Sequence, residues 1–190
     1  MARWEPNPRL RLVRAAIDLF AEQGYDETTV AQIAARAGLS KATFFRHFPD
    51  KREVLSAGQE AHSTLLAEGA AGAPAGASPL EAVAAALDTV TTSFTPEQRE
   101  FGPRLRAVVA AHDELRERDA FKRVGLAAAL ADALRDRGIP ETTARLAAAL
   151  GVEAFHLAFA RWTDEPDGAS YRVLARQALE ELRAAATALH

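Results

Sequence analysis

Lys41, Ala42, Phe45 and Arg46 fall within six consecutive positions. On a helix they share one face, while Phe44 and Phe48, four apart, share the other and Thr43 and His47 stand on the flanks. The chemistry open to such a face is recognition of a duplex groove. A small residue lets the backbone approach base edges, Lys and Arg reach guanine acceptors or phosphates, and an aromatic ring can touch a thymine methyl. The bland alternative is the solvated face of an ordinary amphipathic helical hairpin. That alternative suits each residue taken singly about as well, and suits the whole arrangement poorly.

Such a face needs a support that holds it outward, and the flanking residues supply one. Thr28 to Phe48 reads TTVAQIAARAGLSKATFFRHF. Val30, Ile33, Ala34 and Ala37 recur at helical spacing, and Thr28 or Thr29 offers a side-chain oxygen to cap the first amides. Gly38 stops that helix, Leu39 turns inward, and Ser40 can cap a second helix beginning at Lys41. The expectation is helix, three-residue turn, helix. Upstream, Val13, Ala16, Ile17 and Phe20 predict a core-facing helix over 9–23, with Pro8 at its start, Gly24 at its end and Tyr25 packed at the corner. Residues 1–8 read as an irregular arm, with Arg3 placed to reach DNA backbone or minor groove and Trp4 to pack on the first helix.

Leu10 to Leu55, carrying this motif, the preceding FAEQGYDE and the following FPDKREVL, resembles the helix-turn-helix region of TetR-family transcriptional regulators. The resemblance covers about a quarter of the chain, and the rest is similar in helical layout alone. It implies a reader of double-stranded DNA joined to a body that binds a small-molecule effector and a second subunit. Residue by residue, it implies that Thr28, Thr29 and Gln32 make backbone or groove contacts near the start of the supporting helix. It further implies that Lys41, Ala42, Thr43 and Arg46 face bases and adjoining phosphates, that His47 meets a phosphate, and that Lys51 meets the DNA backbone from the next helix. Phe45 departs from the family, which commonly has tyrosine there. Apolar or stacking contact remains, and no phenol is present to donate to a phosphate.

The whole chain is compatible with that reading. At 190 residues and 48% hydrophobic it can bury a substantial core, and one helical subunit in two parts is expected. With no Cys, disulfides and thiolate metal sites are excluded. No apolar run approaches the roughly 18 residues that span a bilayer and no basic-then-apolar leader begins the chain, so a cytoplasmic protein, nucleoid-associated when on DNA, is expected. The net charge of −3 is unevenly spread: residues 1–52 carry a net +3 and residues 53–190 a net −6. A basic end for phosphates and an acidic bulk repelled from them suit a DNA binder.

After the motif the sequence predicts helix from about Lys51 to Glu68, a flexible loop over GAAGAPAGAS (69–78), and helix from Pro79 to about Ser93. Thr95 with Gln98 fits a capping box that opens a helix from Pro96 to about Ala111, disturbed near Gly102-Pro103. Helices from Asp113 to Arg137, Glu141 to about Thr163 and Ser170 to Leu189 follow, the last two separated by the turn-rich DEPDG. Strand patterning is missing. The expectation is an all-α chain of about nine helices: a three-helix DNA-binding part over 1–52, with its motif at about 29–48, and a larger ligand-binding and dimerisation part over 53–190.

Leu146, Leu150, Phe155 and Trp162 on one late helix, with Leu174, Ala178, Leu179 and Leu182 on the other, offer a four-helix bundle across a two-fold axis or, equally by periodicity, the core of one subunit. The resemblance favours the homodimer, whose paired readers would meet half-sites about 34 Å apart. For an effector, the aromatics Phe94, Phe101, Phe121, Phe155 and Phe159 and the polar His62, His112, His156, Arg104 and Arg106 are the options. The histidines lack zinc-site spacing, and no cofactor is expected. Three classes of function remain: a ligand-responsive dimeric DNA-binding regulator, a repressor in its commoner form; a helical interaction module that keeps the fold without reading DNA; and an all-α enzyme. Against the enzyme, no phosphate loop, nucleophile elbow or paired catalytic carboxylates occur.

Overall fold

The structure, a computed structural model, describes residues 7–164 and 168–189. Arg3 and Trp4 of the expected arm lie outside the described residues, as do residues 165–167 of DEPDG. Among the described residues the chain is all-α, with nine α-helices, two short 3-10 turns and no strand. These residues form two compact units. One holds the chain up to Ala57 together with Arg104–Asp119, the other Gly58–Pro103 together with the chain from Ala120 onward.

The first unit begins with α1 (Pro8–Gln23), where Asn7 Oδ1 accepts from the Leu10 amide at 3.1 Å. Its buried side is Leu12, Val13, Ala16, Ile17, Leu19 and Phe20. Gly24, at φ 90°, ends it. Helices α2 (Val30–Arg36) and α3 (Lys41–His47) follow. The continuous helix expected from Lys51 does not form. Asp50 Oδ1 instead accepts from the amides of Arg52 (2.8 Å) and Glu53 (3.1 Å), and a 3-10 turn runs over Glu53–Ser56. A distant residue secures that turn, since the Arg118 guanidinium pairs with the Glu53 carboxylate at 2.7 Å.

The second unit opens at Gly58, where a side chain would collide with the imidazole of His62: a Cβ there would stand 2.8 Å from His62 Cε1. Helix α4 (Gln59–Ala71) then runs into the stretch expected to be loop. Gly69 and Ala70 are buried, and a Cβ on Gly69 would come within 2.6 Å of the Ala86 backbone, so the small residues permit close helix packing instead of preventing it. The partner helix is α5 (Pro79–Val90), opened by a reciprocal box in which Ser78 N donates to Glu81 Oε2 (2.7 Å) and Glu81 N to Ser78 Oγ (3.3 Å).

After a 3-10 turn at Thr91–Ser93 come α6 (Pro96–Ala111), α7 (Asp113–Asp136), α8 (Glu141–Asp164) and α9 (Tyr171–Thr187). The Thr95–Gln98 box is present, with Thr95 N donating to Gln98 Oε1 at 2.7 Å, and α6 continues through Pro103. Both α6 and α7 contribute residues to each unit. Leu66, Val83, Leu87, Leu126, Leu130, Leu134, Val152 and Leu174 form the centre of the second unit's core, each worth about 1.5–3 kcal/mol over exposure.

Candidate nucleic-acid interface

The supporting helix is fixed at its start by a full capping box. Thr29 Oγ1 accepts from Gln32 N (3.3 Å) while Gln32 Oε1 accepts from Thr29 N (2.8 Å), so Thr29 is the cap of the two threonines. Thr28, at 1% exposure, lies inside the corner. Its hydroxyl donates to Gly24 O (2.7 Å) and accepts from Gln23 Nε2 (3.2 Å), which leaves it no surface for a ligand. At the other end Gly38 adopts φ 65°, its amide donates to Ala35 O (2.9 Å) and that of Leu39 donates to Ala34 O (2.8 Å). The Arg11 guanidinium holds the Ala37 carbonyl. Ser40 Oγ then accepts from Thr43 N at 3.1 Å and opens α3.

Phe44 and Phe48 are buried with ring centroids 5.7 Å apart, and they anchor α3 to the unit. Lys41, Ala42, Phe45 and Arg46 are exposed on the far side, with Thr43 and His47 half-buried between. Phe45 is 49% exposed, and Lys41 Nζ stands 5.8 Å from its ring centroid. His47 Nε2 is buried and makes no hydrogen bond among the described residues. Other cations of this unit are engaged within it. Arg36 forms a bidentate pair with Glu22 (2.7 and 2.9 Å), which holds that carboxyl below its usual range. Arg52 pairs with Asp50 (2.9 Å) and Glu114 (3.3 Å). Lys51 donates to the carbonyls of Tyr25, Asp26 and Thr28 at 2.7, 3.3 and 3.2 Å.

In the second unit the aromatic residues converge. Phe94 stacks on Tyr171 (4.1 Å) and His62 (5.4 Å), and Trp162, Phe155 and Phe159 lie within 5.6, 5.7 and 5.8 Å of it. Phe155 and Phe159, expected near an effector, therefore come together, with His156 5.2 Å from Phe155. Trp162, expected at a dimer face, joins the same cluster. Sequence marks Tyr171 only through the Ser170 cap that puts it in the first turn of α9. It is buried, and its hydroxyl donates to Phe155 O at 2.8 Å. His62 is 7% exposed and its Nδ1 makes no hydrogen bond among the described residues. Burial first, then the positive charge of Lys122 and His156, pushes its pKa down to about 3.

The remaining effector candidates are divided between the two units. Phe101 is buried in the second unit and Phe121 is 64% exposed. Arg104 and His112 belong to the first unit, where Arg104 pairs with Asp18 at 2.9 Å and His112 packs 5.7 Å from the Tyr25 ring. Of the expected dimer residues, Leu174 and Ala178 are buried, Leu150 and Leu182 are half-buried, and Leu146 is 60% exposed. Leu146 lies in an open groove of about 580 Å³ whose lining includes Leu80, Leu150 and Leu179, with Arg176 and Arg183 among its polar residues.

Comparison with known proteins bears on this arrangement. Residues 12–57 match the family model described as "Bacterial regulatory proteins, tetR family". The chain is similar to the HTH-type transcriptional regulator TcmR of Streptomyces glaucescens, 43% identical over 86 residues, which is 43% of this chain and 36% of TcmR. It is also similar to SrpR of Pseudomonas putida, 41% identical over 49 residues, 26% of this chain and 23% of SrpR. The matches thus span about a third or less of these relatives' own length. Among solved structures, the SmeT–triclosan complex shares the fold with TM-score 0.58 at 22% identity, covering 94% of this chain and 90% of that one. GusR of Salmonella enterica does so with TM-score 0.54 at 20% identity, covering 99% and 97%. Residues 12–57 thus match the tetR family of bacterial regulatory proteins in sequence, and the helical layout along nearly the full length is shared with these solved structures.

Proposed function

We propose that this protein is a ligand-responsive, dimeric DNA-binding transcriptional regulator acting in the cytoplasm, a repressor released from a palindromic operator when a small molecule binds its body. The observation that carries the reading is the exposed Lys41–Arg46 face of α3, held outward by the buried Phe44 and Phe48. Lys41, Ala42, Thr43, Phe45 and Arg46 meet bases and adjoining phosphates, and the half-buried His47 meets a phosphate from the flank of the same helix. Thr29 and Gln32 present the start of α2 to the DNA backbone, whereas Thr28 acts from inside the corner. The effector enters the second unit beside the Phe94 cluster. SmeT, of the same fold, forms a triclosan complex, and that likeness supports an effector without naming one. An effector shifts DNA binding only through its different affinity for the two states of the protein, about 1–3 kcal/mol per coupled pair of sites. Among the described residues no helix is long and apolar enough to cross a membrane.

The test is selection of bound duplexes from a random pool with the purified protein. The expected product is a palindrome, and Arg46→Ala should cost about 1–3 kcal/mol and relax preference at one position of each half-site. Equal affinity for selected and random duplex would remove the regulator reading and favour the interaction module.

A further inference from the structure

Lys51 is the fixed point of the reader's first corner. Its ammonium carries three donors, and three carbonyls receive them: Tyr25 O at 2.7 Å, Thr28 O at 3.2 Å and Asp26 O at 3.3 Å. The same nitrogen stands 4.1 Å from the centroid of the Tyr25 ring, which is itself buried against Phe20 (5.0 Å) and His112 (5.7 Å). These carbonyls belong to the turn between α1 and α2, where the backbone has left one helix and has not yet entered the next. The capping threonine of α2 is the residue immediately after Thr28.

We infer that Lys51 is a positioning residue for DNA recognition. It gathers the corner carbonyls so that the Thr29–Gln32 start of α2, and through α2 the recognition helix, stand in register for the groove, and it does not itself neutralise a phosphate. This rests on the DNA-reading function proposed above. The two roles differ in what salt does. A phosphate contact contributes about 0.9 to the slope of log affinity against log salt, and removing it flattens the line. Removing an anchor lowers affinity evenly at every salt concentration.

The experiment uses the full chain. Lys41, Lys51 and Lys122 are its three lysines, so amine acylation followed by peptide mass spectrometry reads each separately. In free wild-type protein Lys51 should label at least about tenfold more slowly than the exposed Lys41. In Lys51→Met, hydrogen exchange over residues 25–32 should accelerate about tenfold or more. Well below the variant's melting temperature, affinity for the selected duplex should fall about tenfold with an unchanged salt slope. Lys41→Met, by contrast, should flatten the slope. Three results would overturn the proposal: Lys51 labelling as fast as Lys41, a slope reduced by about 0.9 with exchange unchanged, or unchanged affinity in the folded variant, which would make the anchor structural alone. If Lys51→Met does not fold, wild-type labelling decides. Should the wild-type protein prefer no duplex, the DNA reading fails, while labelling and exchange still decide whether Lys51 anchors the corner.

Discussion

Phe45 exposes about half its surface beside Lys41, in the middle of the face that would enter a groove. A phenylalanine there offers a thymine methyl or a sugar edge good van der Waals contact and gives a phosphate nothing to accept from. Restoring a phenol separates these contributions, because Phe45→Tyr adds one donor and leaves the ring in place. A hydrogen bond to a charged oxygen is worth about 1.5 kcal/mol net, so the variant should bind the selected duplex roughly tenfold more tightly, measured by fluorescence anisotropy at fixed salt. No change would mean that the ring faces away from the DNA backbone. The cations beside it are few. The Arg36–Glu22 and Arg52–Asp50 pairs already cancel within the formal excess of +3 over residues 1–52, and Arg11 and Lys51, which contribute to that excess, are engaged with backbone carbonyls.

Among the elements, the turn between α2 and α3 sets how the recognition helix is presented, and Gly38 is its least replaceable residue. It adopts φ 65°, and a Cβ on it would stand 2.8 Å from Arg11 Nη2, the group that holds the Ala37 carbonyl. Gly138, at φ 83° with the same pair of closing hydrogen bonds (Gly138 N to Arg135 O, Ile139 N to Leu134 O) and nothing within 4 Å of its missing Cβ, is the natural control. Gly138→Ala should cost the backbone term of about 1–2 kcal/mol, and Gly38→Ala should cost more because Arg11 must also move, both read by denaturant unfolding. Equal costs would mean that Arg11 does not constrain the turn. Such local features are what the sequence makes legible. The Thr29–Gln32 and Thr95–Gln98 boxes, the Ser40 cap, the Gly24 and Gly38 stops and the shared face of Lys41, Ala42, Phe45 and Arg46 all follow from residues within four or five positions of one another. What was not legible depends on distant partners. The 3-10 turn at Glu53–Ser56 leans on Arg118, Gly69 lets the backbone of Ala86 approach α4, and Lys51 is turned inward by carbonyls 23–26 positions earlier. Tyr171 reaches Phe94 across 77 positions, beyond any periodicity.

For the molecule as a whole, two predictions concern stability and assembly. His62 titrates near 3 when buried and near 6.5 when the chain is unfolded. Between those values the unfolded chain binds the extra proton, so stability is fully present above 6.5 and declines as pH falls below it. From pH 7 to pH 5 that loss is about 2 kcal/mol, and His62→Gln should remove most of it when denaturant midpoints are compared at the two pH values; an unchanged pH dependence would show that the imidazole takes up its proton without unfolding. The proposed dimer is tested at Leu146, which is 60% exposed in the groove lined by Leu80, Leu150 and Leu179. Arg176 is paired with Asp88 and Arg183 with Glu180, so a second copy could cover the leucines without stranding those charges. A two-fold contact repeats every substitution in both subunits. Leu146→Asp therefore buries two carboxylates in an apolar interface, a penalty of at least about 3 kcal/mol or some hundredfold in dimer affinity. Light scattering at micromolar concentration should find wild-type dimer and variant monomer. The monomer should still bind an isolated half-site while losing its preference for the palindrome. A variant that remains dimeric would move the interface off this groove.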